Sequence, residues 1–360
     1  MKKKNRIVQI FRIIMPMIGI ICLVVFPPWD GICAWITPLP DTVQEQVDDA
    51  ISSGLDGIIV YVDEAGQPPA FYTAGWKDRD NQIPADPQSF FKIGSIGKLY
   101  DAVAVTKLVN DERLYLDKTL ADYLPELAER IEYADQITLR MMVQHRSGIP
   151  NITDQPGYRW DSPPETNIEA LALVLDMPAD FKPDEKYSYS NTNYLLISEI
   201  IEKVLGYSNF QYIKEEILSP LGLENTFGSI RNVNLDDVMS GYYVGVESDF
   251  KQIDAGMVAT AEDVGIFLRA LNDGSLLNDN EQAVYSSIYV YGHTGWVLGY
   301  QSFARYHKDI DTVVVQFVNT TGGTPILPFF DTQGGTKVMV SEVVYDRIVR
   351  ILRKEINLNE

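Results

Sequence analysis

Strand-forming runs stand near both ends of this chain and helical patterns fill its middle, which restricts the folds open to it. Residues 58–62 and 70–76 are rich in β-branched and aromatic side chains around a turn at 63–69. Residues 293–297, 301–307 and 312–319 are three more such runs, parted by turn-forming stretches such as 309–311. Helical periodicity is expected at 42–53 and over about 95–110, where Val103, Val105, Leu108 and Val109 give an apolar side. Further helical pieces are expected at 120–127, 139–145, 194–205, 210–218 and 260–271, then a long terminal helix over 337–356. This order predicts an α+β fold, an α/β sandwich. Its antiparallel sheet draws strands from both chain ends, is flanked by N- and C-terminal helices, and carries an inserted helical region.

The first residues read differently. Lys2, Lys3, Lys4, Arg6 and Arg12 precede an apolar run over 13–26 that ends at Pro27 and Pro28. A basic start and an apolar run of this length describe a secretory signal. The run is shorter than the roughly 20 residues that span a bilayer. A cut after Ala34 suits the small-residue rule, but Ile32 suits it poorly, so an uncleaved membrane anchor is the other expectation. Residues 1–36 are thus expected to be a signal peptide or membrane anchor, and 37–360 one extracytoplasmic domain.

Charge and cysteine usage narrow the chemistry. The formal net charge of −20, from 30 basic and 50 acidic residues, repels phosphate backbones, so nucleic acid is not an expected partner. Both cysteines, Cys22 and Cys33, lie in the leader, and neither follows the small residue that lipid attachment wants. The body therefore has no disulfide, cysteine nucleophile or thiolate metal site. Three histidines without a paired helical motif give a zinc site little support, and no metal or cofactor is expected.

Three short motifs carry the candidate chemistry. In Gly94-Ser95-Ile96-Gly97-Lys98, a helix starting at Ser95 puts the lysine amine, at i+3, within reach of the serine hydroxyl. Serine needs a nearby base to act as a nucleophile, and a desolvated lysine can serve. The unpaired N–H groups of a helix start can steady an oxyanion. Alone, Ser-x-x-Lys arises about once by chance in a chain this long. Tyr189-Ser190-Asn191 offers a hydroxyl that can shuttle a proton and an amide that can orient a carbonyl. Gly292-His293-Thr294-Gly295 opens a strand whose glycines allow close backbone approach, with the N–H of Trp296 as a second oxyanion donor.

In this order and with these surroundings, the chain resembles the serine β-lactamase-like family. The likeness is to its branch of class C β-lactamases, D-alanyl-D-alanine carboxypeptidases and related esterases. Leu116-Asp117, Tyr123-Leu124-Pro125-Glu126, His145 with Ser147-Gly148, Pro220-Leu221-Gly222 and Ala255-Gly256-Met257 extend it over about 43–351. The resemblance implies a β-lactamase/transpeptidase-like fold and an acyl-enzyme mechanism. Ser95 would attack a carbonyl, Lys98 and Tyr189 would share the proton transfers, and Asn191 would orient the substrate. His293 would stand where relatives often carry lysine, beside Thr294 and Gly295, and the backbone N–H groups of Ser95 and Trp296 would form the oxyanion hole. Departures are visible. Gly97 replaces a hydroxyl residue and is expected to loosen its turn, Arg146 sets a charge beside a structural His145, and the 191–293 stretch looks short, implying an open cleft.

The expected function is hydrolysis of an ester or peptide amide, as a D-alanyl peptidase or esterase rather than an efficient β-lactamase, on a small-molecule or peptide substrate. The competing reading is an inactive module that binds cell-wall peptide or a protein partner; Ser95, Lys98 and Tyr189 argue against it, since a binder needs none of them. An α/β-hydrolase is disfavoured because no Gly-x-Ser-x-Gly elbow occurs. Tyr158, Trp160 and Trp296 are specificity candidates that the sequence cannot rank.

Overall fold

A computed structural model of the protein describes residues 12, 14–19, 29–323 and 335–359. Most of the expected leader lies outside them. No described helix is long and apolar enough to cross a membrane.

The chain enters the body through α1 (Trp29–Ile36) and α2 (Val43–Ser52). Thr42 and Glu45 cap α2 reciprocally, each side chain bonding the other's backbone N–H. The cut expected after Ala34 falls inside α1, whose Gly31 lies against Met339: a Cβ there would sit 1.9 Å from the methionine methyl.

β1 (Gly57–Glu64), β2 (Ala70–Asp78) and β3 (Ile83–Pro84) follow. The inserted region includes α3 (Gly97–Asn110), α4 (Asn191–Leu205), α5 (Ala261–Asp273) and α6 (Asp279–Ile288). Then come β4 (His293–Val297), β5 (Tyr300–His307), β6 (Thr312–Val318) and α7 (Gly335–Asn359). Among the described residues these strands form a six-stranded sheet in the order β3-β2-β1-β6-β5-β4, antiparallel throughout. Chain start and chain end meet at its centre, where Ile59 pairs with Phe317.

The alternation of β1 divides its side chains between two cores. Ile58, Val60 and Val62 pack with Val43, Val47, Val344 and Ile348 beneath the terminal helices. Ile59 and Tyr61 face the inserted region, with Leu99, Val264 and Phe317. Each fully buried aliphatic side chain contributes about 2 kcal/mol. Gly265 lets α5 lie directly on the sheet, since a Cβ there would come within 2.1 Å of the Tyr61 ring. The expected α+β sandwich is the fold observed.

Local boundaries differ in instructive ways. Ser95 sits in a 3-10 turn, Gly94–Ile96, and the α-helix begins at Gly97. Gly97 keeps helical dihedrals (φ −52°, ψ −28°), so the turn is not loosened. Met257 instead lies where a side chain would go, its sulfur 3.3 Å from a Cβ at Gly97.

Candidate active site

The site is built on a turn that only glycines permit. The short strand Phe91–Lys92 pairs with Val258–Ala259, and Ile93 N–H then bonds Met257 C=O at 3.2 Å. Gly94 turns the chain at φ +55°, with its missing Cβ 3.0 Å from the backbone N of Trp296. From the other side, a Cβ on Gly295 would stand 2.0 Å from Ile93 O, and Ser302 Oγ donates to that same carbonyl at 2.9 Å. β4 is thereby pressed against the serine turn, which sets the Trp296 N–H beside Ser95.

Two donors converge on the Ser95 hydroxyl. Lys98 Nζ lies 3.1 Å from Ser95 Oγ, and Tyr189 OH donates to the same oxygen at 2.8 Å. Lys98 is nearly buried, its ammonium 5.1 and 5.4 Å from the ring centroids of Tyr189 and Tyr194. Its remaining reach goes to Asn191 Oδ1 at 2.8 Å. Asn191, expected to orient a substrate carbonyl, is engaged at both ends of its amide. Its Nδ2 donates to Asn151 Oδ1 and Thr153 Oγ1, both at 3.3 Å, and its backbone N–H to Asn151 Oδ1 at 2.9 Å. The reason is that α4 starts at Asn191 rather than at Tyr194, which turns this side chain toward Lys98. Asn151 and Thr153, which hold it, carry no sequence signal of their own.

The histidines flank the centre without charge. His145 takes φ +55° and is buried. Its ring stacks on Tyr189 at 4.3 Å and lies 5.2 Å from Tyr194, so it is the floor on which Tyr189 rests. Nδ1 accepts the Ser190 N–H at 3.2 Å, which places the ring proton on Nε2, buried without a partner. Burial, then the Lys98 charge, pushes its pKa down to about 3. His293 Nδ1 contacts Thr294 C=O, an acceptor only, so that nitrogen carries the proton. Burial pulls His293 down to about 4. The position therefore presents a neutral imidazole.

Two further ionisable groups have no role assigned from the sequence, Lys92 standing in the run that leads to Ser95. Asp101, one turn beyond Lys98, accepts from Asn209 Nδ2 at 2.7 Å, and burial lifts its pKa to about 6. Lys92 is buried, donates to Phe250 C=O at 2.6 Å and lies over the Tyr300 ring; desolvation drops its pKa to about 7.

Ser95, Lys98, Tyr189, Asn191, His293 and Lys92 line a cleft of about 640 Å³ that also touches Thr294, Trp296, Tyr158 and Trp160. Trp160 meets Trp296 edge-on at 4.7 Å and Tyr158 edge-on at 5.1 Å. Among the described residues no cluster of three His, Cys, Asp or Glu side chains is placed to hold a metal ion.

Comparison with known proteins bears on the family and the fold. The family model described as "Beta-lactamase" matches residues 39–287, a span that ends just before His293. "Protein flp" of Staphylococcus aureus (strain MW2) is 28% identical over 196 residues, 52% of this chain and 39% of that protein. "Penicillin-binding protein 4" of Amycolatopsis lactamdurans is 30% identical over 154 residues, 42% of this chain and 40% of the relative. The chain thus spans about two fifths of the length of these relatives. The crystal structure of D-amino acid amidase from Ochrobactrum anthropi SV3, complexed with L-phenylalanine amide, has the same fold. Its TM-score is 0.75 at 22% identity, over 87% of this chain and 98% of that one.

Proposed function

The chain belongs to the beta-lactamase family, and from that premise we propose that it is a serine hydrolase acting through an acyl-enzyme on an ester or peptide amide. The observation that carries the reading is the convergence of Lys98 and Tyr189 on one hydroxyl, at 3.1 and 2.8 Å. A proton leaving Ser95 has both groups within hydrogen-bond reach, and either can return it to the departing alkoxide or amine. Ser95 Oγ bonds to the substrate carbonyl carbon, the leaving group departs with that proton, and water then releases the acid from Ser95. Backbone N–H groups of Ser95 and Trp296 stabilise the oxyanion. Asn191 acts by holding Lys98 in place.

The cleft's charges favour esters and amides over substrates with a free carboxylate. Lys98 is engaged with Ser95 and Asn191, and Lys92 with Phe250. His293 is neutral. An esterase, or a peptidase whose substrate brings no free carboxylate into the cleft, fits this better than efficient β-lactam hydrolysis. The basic, apolar leader supports an extracytoplasmic location, held by a cleaved signal's export or by an anchor.

The test is intact mass after treatment with a small fluorophosphonate, for the wild type beside Ser95→Ala. One adduct on the wild type and none on the variant is the expected result. A folded wild type that takes no adduct overturns the reading.

A further inference from the structure

Resting on the hydrolase reading above, we infer that the acyl part of the substrate is a flat apolar group, aryl or aryl-alkyl, bound against Trp160 and Trp296. These two residues then set the specificity that the motifs leave open.

The two rings come from distant parts of the chain. Trp296 belongs to β4, and its backbone N lies against the serine turn, so its indole starts one residue from the reacting centre. Trp160 arrives separately, in the loop between the turns at Ile152–Asp154 and Asn167–Leu171. Nothing local requires the two to meet, yet they touch edge-on at 4.7 Å with rings 81° apart, and Tyr158 continues the row. Both tryptophans are half-buried and line the cleft. Ile152, Ala170 and Leu298 also line the cleft, as do the polar Thr153, Glu165 and Asn167. Ser95, Lys98, Tyr189 and Thr294 line the same cleft, Thr294 standing two residues before Trp296 on the same face of β4.

A cleft that sets an aromatic surface beside its reactive groups sorts substrates by what covers that surface. An acetyl group reaches the serine but leaves both indoles wet. A phenyl ring one carbon further on covers them and can pack edge-to-face, the geometry these rings already adopt with each other. Even one methylene in an apolar pocket changes kcat/KM roughly 10- to 200-fold, so a whole ring is expected to do at least as much.

The experiment compares methyl phenylacetate with methyl acetate, which share a leaving group, and reads the ratio of their kcat/KM values. The wild type is expected to favour phenylacetate by at least about tenfold, and Trp160→Ala to lower that ratio about tenfold or more, with Trp160→Phe restoring most of it. A second readout needs no turnover: the affinity of methyl phenylacetate for the Ser95→Ala protein, by ligand-observed NMR. Adding Trp160→Ala to that protein is expected to weaken binding about tenfold. A ratio and an affinity that Trp160→Ala leaves unchanged overturn the inference. If neither ester turns over while Trp160-dependent binding persists, the aromatic subsite stands and the hydrolase reading fails.

Discussion

Lys98 keeps its place because its surroundings grip it from several sides: Ser95 and Asn191 accept from its ammonium, and Tyr189 and Tyr194 turn their rings toward it. Burial disfavours the charged form of the two nearby histidines, and the Lys98 cation adds to that cost. Their folded pKa values, about 3 for His145 and about 4 for His293, lie below the 6.5 of an unconstrained histidine. Below pH 6.5 the unfolded chain binds protons that the native chain refuses. Their contribution to stability is therefore full above pH 6.5 and is lost as pH falls toward 4, by at most about 1.4 kcal/mol per pH unit per group. Asp101, raised to about 6, works the other way, its contribution fading as pH rises through that value. The melting temperature is expected to fall on acidification from pH 7 to 4.5, and less steeply in His145→Asn. An equally steep fall in the variant would sink this account.

Among the elements, β4 matters most to the site, since its position depends on having no side chain at Gly295. A methyl there would press on Ile93 O at 2.0 Å and Ser302 Oγ at 2.4 Å. Gly295→Ala is expected to push β4 off the serine turn, to cost about 1–3 kcal/mol in urea unfolding, and to slow fluorophosphonate labelling of Ser95 at least about tenfold. Deleting the Ser302 hydroxyl as well is expected to give no rescue, because the carbonyl clash remains. Labelling at the wild-type rate in Gly295→Ala would refute the argument.

Elements with strong periodicity were readable from sequence. The run at 58–62 became β1 because its alternating apolar side chains face two cores, the run at 293–297 became β4, and the periodicity over 42–53 became α2. The start of α4 was not readable. Asn191, Thr192 and Asn193 are poor helix formers, and they are helical because partners far along the chain satisfy them: Asn151, Pro150 and Ser147. Helix α6 was missed although Asn278 and Glu281 form a capping box, since its apolar stripe is weak. The same limit applies to the site. Ser95, Lys98 and Tyr189 stand in motifs, whereas the Asn151 and Trp160 contacts exist only once segments 40 and 136 residues apart are folded together.

Across the whole molecule, Arg347 joins the chain's two ends. From the middle of α7 its buried guanidinium donates to Thr37 C=O at 2.6 Å and Pro38 C=O at 2.7 Å, and it also contacts Gln46 Oε1. Removing it strands two carbonyls and an amide where water reaches them poorly. Arg347→Ala is expected to lower unfolding stability by about 3 kcal/mol in urea, while serine labelling per folded molecule stays near the wild-type rate. Unchanged stability would mean that the join of α1 and α2 to α7 is held by apolar packing alone.

The pairing of β1 with β6 at the centre of the sheet bears on how the protein comes to exist. Ile59 waits for Phe317, so the sheet cannot close until the chain has been synthesised through β6. The inserted helices rest on nearer contacts and can condense meanwhile. Throughout that interval the Ile-Ile-Val-Tyr-Val run of β1 has β2 on one side only, and its other edge is bare and adhesive. The danger of aggregation therefore falls on the nascent chain, and passes once the last strand arrives.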